Sequence, residues 1–529
     1  MKSIASFIVA LSLAVTAARA ELRLPAIISD HAMLQAGKPV AVWGWADPGA
    51  QVKVEFLRSD ASAAAQFTAT ADATGKWSGR LGVLDAGTAG SLRITADKVG
   101  QKTVNDILVG EVWLGSGQSN MSYLIGSGAN SPDGAEAIAQ AAHNVEVAQQ
   151  EADAAHPPIR YFKVTSSGAD QPTDDVKGQW ELGSSQNVKT FSAVAWNFGV
   201  ALENRLHVPT GLIVSAVGGV PVESYMSREA LEATSVGKDV LDRNAKLLAA
   251  VTPEKIAKYE AESKAWEAAN PNGELKAEHA ATRPRPLYTP KSGAVPNRLY
   301  NGMLRGLEPY SLRGFIWFQA DGNMGHPLEY SELFQALIKN WRADWKEELP
   351  FYFVEMNNMR DDRQKQPVQL NPLSIIREQQ RGGLLLPATG IVCSIDLGGK
   401  DPHFPNKKPV GERLAGLALR DCYQHPGLVN SPAYQSFSIE GGKVRLKFSD
   451  AEGLHARGGE LKGFAIRGDK GEWVWATGKI EGQDILVWDD HISTPTAVRY
   501  AWAMNPVISI ENGAGLPLLP FRTDTASEQ

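Results

Sequence analysis

The sequence predicts an α/β protein with a central parallel sheet covered by helices on both faces, and with an all-β region on either side of it. Short β-type runs alternate with Gly and Pro turns near both ends of the chain, whereas short apolar strands alternate with helical patterns in the middle. A length of 529 residues also exceeds what one hydrophobic core usually supports. We therefore expect several domains.

The first twenty residues have the pattern of a secretory signal peptide. Lys2 precedes the apolar stretch Ile4 to Val15, and Ala18-Arg19-Ala20 places small residues where a signal peptidase reads them. The alternative, in which this stretch is an apolar helix of the mature fold, agrees less well with the Ala18-Arg19-Ala20 ending. Residues 1–20 are thus predicted to be removed from a secreted or periplasmic protein. No later run approaches the ~20 apolar residues that cross a bilayer, so no membrane insertion is expected.

The two flanking regions are predicted to be β-rich. Residues 21–105 hold β-type runs such as Val40–Trp45 and Val52–Leu57, with no convincing helix between their turns, which indicates a small β-sandwich. Residues 431–529 contain similar runs, such as Val444–Phe448 and Ile485–Trp488. Neither region carries a plausible catalytic constellation of its own.

The central region, residues 106–430, alternates strands with helices. The predicted strands are Val109–Leu114, Thr210–Ala216, Gly314–Phe318, Phe351–Glu355 and Gly390–Ile395, and the predicted helices include Ala135–Ala155, Ala193–Leu206 and Leu328–Trp345. Such alternation predicts a parallel sheet, whose active site gathers at the carboxyl ends of its strands. The charged stretch at about 227–292, which ends in a Pro-punctuated connector, is interpreted as a helical insertion with a solvated face.

Composition narrows the class of partner. The formal net charge is −6 and no long Lys/Arg tract occurs, so nucleic acid is not an expected partner, and a neutral or acidic small molecule fits better. Cys393 and Cys422 make no disulfide framework, although an exported compartment would permit one bridge between them.

Ser119 is the candidate nucleophile. It lies in the turn Gly117 to Met121, directly after an apolar strand. A serine hydroxyl needs a base to take its proton and donors to hold the resulting oxyanion. The turn differs from the elbow G-x-S-x-G, because position 121 is Met. The alternative is a hydroxyl that caps the following helix.

His403 is the candidate base, and Asp401 the group that orients it. Both lie in the loop that follows the strand ending at Ile395, where Asp401 can accept the Nδ1 proton of the imidazole. The pair could instead form a loop turn or half of a metal site, but no cluster of suitable spacing supplies a third ligand. His326 is the second candidate for the base, and lining the substrate pocket is the second interpretation of this residue.

The oxyanion requires at least two donors. The candidates are the backbone amide of Ser119, the amide of Gly219 or Gly218, and the side-chain amide of Gln319 or Asn323. Gln118, beside the serine, is a further candidate for the oxyanion or the substrate. An ordinary turn at Gly218-Gly219 is the alternative.

Several motifs in this order resemble those of the sialate O-acetylesterases, a family of SGNH-hydrolase-like carbohydrate esterases with acetylxylan esterases as close relatives. The motifs are GEVWLGSGQSNM at 110–121, GLI at 211–213 leading to Gly218-Gly219, YNGM at 300–303, IWFQ at 316–319, DPH at 401–403 and VGERL at 410–414. The resemblance covers nearly the whole mature chain. It implies an SGNH-like three-layer α/β/α core, with Ser119 as nucleophile, His403 as base and acid, and Asp401 as orienter. It implies no metal and no organic cofactor.

The resemblance also implies the reaction and its substrate class. Ser119 would attack the acetyl group of an O-acetylated sialic acid, and water would then release acetate from the acyl-enzyme. Acetylated xylan or another polysaccharide is an alternative substrate. The segment 317–323, which overlaps the IWFQ motif, departs from the family's WYQGESN, because Ala320, Asp321 and Gly322 replace its Gly-Glu-Ser. A carbohydrate-binding protein with a decayed esterase site therefore stays open as a second class of function.

Overall fold

The computed structural model describes residues 21–128, 134–154, 158–270, 282–284, 286–359, 363–368, 371–399, 401–469 and 471–524. The predicted signal peptide, residues 1–20, and residues 271–281 of the predicted insertion lie outside this part. Among the described residues, none of the helices combines the length and the apolar character that crossing a bilayer requires.

The N-terminal region packs two sheets against each other, as predicted. One pairs β2 with β5, and the other joins β4, β3, β6 and β7 antiparallel, with β1 parallel to β7. Alternate side chains of each sheet, such as Val42 and Phe56, are fully buried. The strands are β1 (Met33–Gln35), β2 (Pro39–Trp45), β3 (Gln51–Arg58), β4 (Ala63–Thr70), β5 (Lys76–Val83), β6 (Ala89–Ala96) and β7 (Gly100–Gly117).

Strand β7 continues from this region into the central sheet. Its first half pairs with β6, and its second half pairs with strands of the centre. The predicted strand Val109–Leu114 is the middle of this longer strand. The predicted boundary between residues 105 and 106 lies inside β7, with no linker there. The division of the chain into domains therefore stays a prediction.

The central sheet has the order β13-β12-β11-β7-β10-β8-β9. All its neighbours are parallel except β9, which is antiparallel to β8. The strands are β8 (Ile159–Val164), β9 (Gly178–Leu182), β10 (Thr210–Ala216), β11 (Gly314–Phe318), β12 (Phe351–Val354) and β13 (Thr389–Val392). Strands β8 and β9 were not predicted from the sequence. Arg160 and Lys163 interrupt the apolar pattern of β8, and only the fold buries Arg160, where it bonds Asp106 at 2.7 Å.

Helices cover both faces of this sheet and confirm the predicted α/β/α layering. On one face, Trp113 of β7 packs edge-on against Phe198 with ring centroids 5.1 Å apart. On the other face, Trp317 of β11 packs against Trp341 at 5.7 Å. The helices are α1 (Ser119–Ser122), α2 (Ala135–Ala154), α3 (Ala193–Leu206), α4 (Arg228–Glu232), α5 (Ser235–Ala249), α6 (Pro253–Ala269), α7 (Tyr330–Trp345), α8 (Pro372–Gln380) and α9 (Lys408–Asp421).

The predicted insertion contains α4, α5 and α6. Each begins at a Ser or Thr whose side chain accepts a hydrogen bond from the backbone amide three residues later, at Ser227, Thr234 and Thr252. These caps satisfy amides that a helix start leaves unpaired. Helix α6 has no buried residue, which agrees with the solvated face that its charges predict.

The C-terminal region is a pair of antiparallel sheets, with the orders β14-β15-β20-β19 and β18-β17-β21-β23, and a small pair of β16 with β22. Apolar side chains such as Leu446 and Ile466 are fully buried in it. The strands are β14 (Ala433–Glu440), β15 (Lys443–Ser449), β16 (His455–Ala456), β17 (Phe464–Gly468), β18 (Val474–Trp475), β19 (Thr477–Glu481), β20 (Asp484–Trp488), β21 (Pro495–Tyr500), β22 (Ile510–Glu511) and β23 (Phe521–Arg522).

Cys393 and Cys422 are both unpaired. Cys393 is buried, and the Cys422 thiol lies 3.3 Å from the hydroxyl of Tyr352. The bridge that an exported compartment would permit is therefore not formed.

Gly117, the last residue of β7, has a φ of 134°, and a Cβ there would lie 2.3 Å from the carbonyl oxygen of Phe318. We expect Gly117→Ala to lower the free energy of unfolding by about 2 kcal/mol or more, because both strain and overlap oppose the side chain. Gly416→Ala is the control: Gly416 lies in α9, and the position that its methyl group would take has no atom within 4 Å, so alanine should stabilise the helix by up to ~1 kcal/mol. Equal stability of the two variants in chemical denaturation would contradict this account.

Candidate functional site

Three neighbouring strands of the central sheet end side by side. Gly117 of β7 pairs with Ala216 of β10 on one side and with Phe318 of β11 on the other. Because the strands are parallel and in this register, the turns that follow them meet at one edge of the sheet. Those turns carry Ser119, Gly218-Gly219 and the segment from Gln319 to Asn323.

Ser119 is half-buried at the first position of the four-residue helix α1. The N-cap of that helix is Gln118, and no side chain caps it. The hydroxyl of Ser119 therefore does not serve as a helix cap, which was the alternative to a catalytic role.

The first of the two glycines after β10, Gly218, faces Ser119. A Cβ on Gly218 would lie 3.4 Å from the Cβ of Ser119. Gly219 has a φ of 71°, and the position that a Cβ would take there has no described atom within 4 Å. Within the described chain, the backbone amides of Ser119, Gly218 and Gly219 donate to no protein acceptor. These amides are free to bind an anion beside the hydroxyl.

The loop with Asp401 and His403 is bonded to the serine turn. The Nδ2 of Asn120, the residue after Ser119, donates to the carbonyl oxygen of Pro402 at 3.0 Å. Asn357, beyond the end of β12, donates to the same oxygen at 3.3 Å. These bonds bring the predicted base and its orienter to the edge of the sheet that carries the serine.

Asp401 and His403 interact within that loop. One carboxylate oxygen of Asp401 accepts the backbone amide of His403 at 2.8 Å and lies 3.7 Å from the imidazole Nδ1. Asp401 is buried, whereas the His403 side chain is 41% exposed. Asp401 thus faces the Nδ1 side of a ring that stays accessible to solvent, and a separation of 3.7 Å can shorten to a hydrogen bond when substrate binds.

Gln319 is fully buried, and its side-chain amide is fully used. Its two hydrogens are donated to the oxygens of Val220 and Asn323, at 3.1 and 2.9 Å, and its oxygen accepts from Tyr330 at 3.0 Å. The prediction that Gln319 donates directly to an oxyanion does not agree with these bonds, because an amide has two hydrogens. Gln319 instead braces the turn after β11.

Asn323 and Gln118 hold the same turn. The oxygen of Asn323 accepts the amide of Val222 at 2.9 Å, and its nitrogen donates to Glu223 at 2.8 Å. The Gln118 oxygen accepts the amide of Gly322 at 3.3 Å, whereas its Nε2 is buried and has no hydrogen-bond partner among the residues that the structure describes. An unpaired buried donor beside Ser119 is consistent with the predicted binding role of Gln118.

The altered segment 317–323 is packed against the turn after β10. A Cβ on Gly322 would lie 2.4 Å from the carbonyl oxygen of Val220. The serine that the family motif has at this position would not fit here without a backbone shift. Ala320 is fully buried.

A cavity of about 530 Å³ adjoins these turns. Gly219, Gly322 and Asn323 line it on the side of the sheet edge, and helix α5 of the insertion lines it on the other. Arg243 and Lys246 of α5 are among its lining residues, together with Tyr288, His326 and Glu329. His326 thus lines a pocket, as the second interpretation of that residue predicts.

The cavity is lined by charged groups of both signs. Arg243 binds Glu329 through two hydrogen bonds, at 2.9 and 2.6 Å. Burial raises the pKa of the Glu223 carboxyl, and burial likewise raises the pKa of Tyr288 to about 12. In the described part of the chain, no group of three or more His, Cys, Asp or Glu side chains is placed to hold a metal ion.

Three residues that support the site were not predicted from the sequence: Asn120, Asn357 and Lys407. Asn120 lies inside the GQSN motif, so its position was a usable signal. Asn357 and Lys407 are polar residues in loops, and nothing in their local sequence shows that they are buried at 0% and 1% exposure.

No family model matches this chain. The chain is 26% identical to the sialate O-acetylesterase of Pongo abelii over 532 residues, which covers 92% of this chain and 88% of that protein. The match to the rat sialate O-acetylesterase, at 27% identity, spans 60% of that protein's length and 64% of this chain. Among solved structures, a carbohydrate acetylesterase from Xanthomonas citri is 31% identical with a TM-score of 0.75, over 95% of this chain and 100% of that one.

Proposed function

Because this chain belongs to the sialate O-acetylesterase family of carbohydrate esterases, we propose that it hydrolyses sugar O-acetyl groups through a Ser119 acyl-enzyme, with O-acetylated sialic acid as its substrate. The observation that carries the proposal is the convergence at one sheet edge. The Asn120 bond to Pro402 joins the serine turn to the loop of Asp401 and His403, and Gly218 lies against Ser119 on the other side.

The proposed chemistry follows from the positions of these groups. His403 takes the Ser119 proton as Oγ attacks the acetyl carbonyl carbon, and the backbone amides of Ser119 and Gly219 stabilise the oxyanion. His403 then returns the proton to the departing sugar oxygen. Water, activated by the same histidine, attacks the acyl-enzyme and releases acetate. Asp401 keeps the imidazole in the orientation that both steps require.

We assign the cavity between the sheet edge and α5 to the sugar. Its amides, carboxylates and tyrosine hydroxyl suit the many hydroxyls of a carbohydrate. Lys246 lines it, is exposed and forms no ion pair with any described residue, so its ammonium is available for the carboxylate of a sialic acid. The carboxylates of Glu223 and Glu329 in the same cavity favour a neutral sugar, and for this reason acetylated xylan is kept as the second candidate substrate.

Ser119→Ala tests the nucleophile. We expect it to release acetate from 9-O-acetylated sialic acid or acetylated xylan at least ~10⁴-fold more slowly than the native chain, with sugar binding retained. Ser122→Ala, in the same short helix, is the matched control and should stay within about tenfold of native activity. Equal acetate release by the native chain and Ser119→Ala would overturn the assignment. If the native chain binds acetylated sugars and releases no acetate, the binding-protein alternative replaces the enzyme.

Lys246→Gln tests the sialic acid assignment. An exposed ion pair contributes about 0.2–1 kcal/mol, so kcat/KM for 9-O-acetylated sialic acid should fall by up to about fivefold, and the value for acetylated xylan should not change. Lys238→Gln, an exposed lysine of the same helix α5, provides the control. Activity on xylan alone, with no response to Lys246→Gln, would establish the second candidate substrate.

We also propose export, on the pattern of residues 1–20. The mature chain should begin at Glu21 and be recovered outside the cytoplasm, which N-terminal sequencing checks. Ala20→Arg should block the cleavage. An intact chain beginning at Met1 in the cytoplasm would contradict the prediction.

A further inference from the structure

Lys407 is a buried cation beside the proposed active site. Lys407 is 1% exposed, and its Nζ lies 3.3 Å from the ring centroid of Phe404 and 5.1 Å from that of Tyr123. Burial lowers the pKa of this ammonium well below its usual range, and the negative charge of Asp401 opposes the shift. Burying an ammonium is costly, so a lysine kept here in a ring of aromatic side chains requires an explanation.

The Nζ of Lys407 donates to the Oδ1 of Asn120 at 2.5 Å. The same carboxamide donates its Nδ2 to Pro402 O at 3.0 Å and to the Oδ1 of Asn357 at 3.2 Å. Lys407 is the donor in this contact, so it favours the oxygen end of the Asn120 amide on its side. Without that donor, the Oδ1 of Asn120 would be buried with no hydrogen-bond donor among the described residues, and only the two bonds from its Nδ2 would hold the amide in place.

We propose that Lys407 is a positioning residue that holds the Ser119 turn against the Asp401–His403 loop by orienting the Asn120 side chain. The inference rests on the proposed function of Ser119 and His403. Asn120 directly follows Ser119, and Pro402 lies between Asp401 and His403, so a small displacement of this contact changes the distance from the hydroxyl to its base. Misplacement of reacting groups by about 1 Å can cost ~10²-fold in rate.

The chain supplies a matched control in the next residue. Lys408 has the same side chain, but it is 43% exposed and pairs with Glu151 at 2.8 Å. Its contacts do not include the serine turn. Lys408→Met therefore removes a lysine from the same helix start without altering the proposed contact.

The test compares Lys407→Met with Lys408→Met in the full mature chain. Methionine keeps the unbranched apolar stem and removes the donor. We expect Lys407→Met to lower kcat by about 10- to 100-fold and to leave KM within about threefold, whereas Lys408→Met stays within about twofold of native kcat. Native kcat in a folded Lys407→Met variant, or a rise in KM alone, would overturn the proposal.

A double-mutant cycle with Asn120→Ala separates positioning from a general structural role. If Lys407 acts through Asn120, the double variant should lose no more kcat than the worse single variant, whereas independent effects would multiply and overturn the proposal. If Lys407→Met does not fold, as judged by thermal unfolding, Asn120→Asp takes its place. Asp keeps an acceptor for the ammonium and opposes Pro402 O with a second oxygen, so kcat should fall by a similar factor, and native kcat would overturn the proposal.

The rate at which a fluorophosphonate labels Ser119 is measured for the same variants. This rate reports the reactivity of the serine without any sugar. If the reagent labels the native chain but the chain releases no acetate from any sugar, the proposed substrate is wrong. The labelling rate alone then decides the positioning role, and we expect it to be at least about tenfold lower for Lys407→Met. If the native chain does not label at all, the proposed nucleophile and the role of Lys407 both fail.

Discussion

The site depends on the register of three parallel strands. Gly117 is paired with Ala216 on one side and Phe318 on the other, so β7, β10 and β11 end at the same level. A shift of one residue would turn every side chain of a strand to the opposite face and would separate the turns that follow. The apolar contacts of Trp113 and Trp317 with helices on opposite faces oppose such a shift. The proposed chemistry therefore rests on packing that contains no catalytic group.

Buried polar groups then connect the turns beyond the strand ends. Tyr225 donates to Gly117 O and accepts from the amide of Val217, both at 2.9 Å, and so ties the end of β7 to the end of β10. The side-chain hydrogen bonds of Gln319 hold the turn after β11 in the same way. Each of these groups is hydrogen-bonded, as a buried polar group must be if its burial is not to be destabilising. Loops braced in this way keep the geometry of a site on a rigid sheet.

The C-terminal region takes part in this bracing. Arg377 of α8 is 1% exposed and donates to Asn357 O at 2.8 Å and to Ala503 O at 2.7 Å. Asn357 in turn contacts Pro402. A path of hydrogen bonds therefore leads from the β-rich region to the loop of His403, although that region supplies no side chain to the proposed chemistry. Its contribution is support for the loop.

By itself, the sequence determined the fold class, the bounds of strands such as Thr210–Ala216 and Gly314–Phe318, and the residues proposed for the chemistry, because periodicity and ordered motifs are local properties of a chain. The family, too, was visible in the order of those motifs. Only the tertiary structure decided that Gln319 braces instead of donating, that α5 of the insertion lines the cavity, and that Lys407 is buried against Asn120. These facts depend on which distant residues meet, and the partners of a buried polar group are set by the packing of the whole fold.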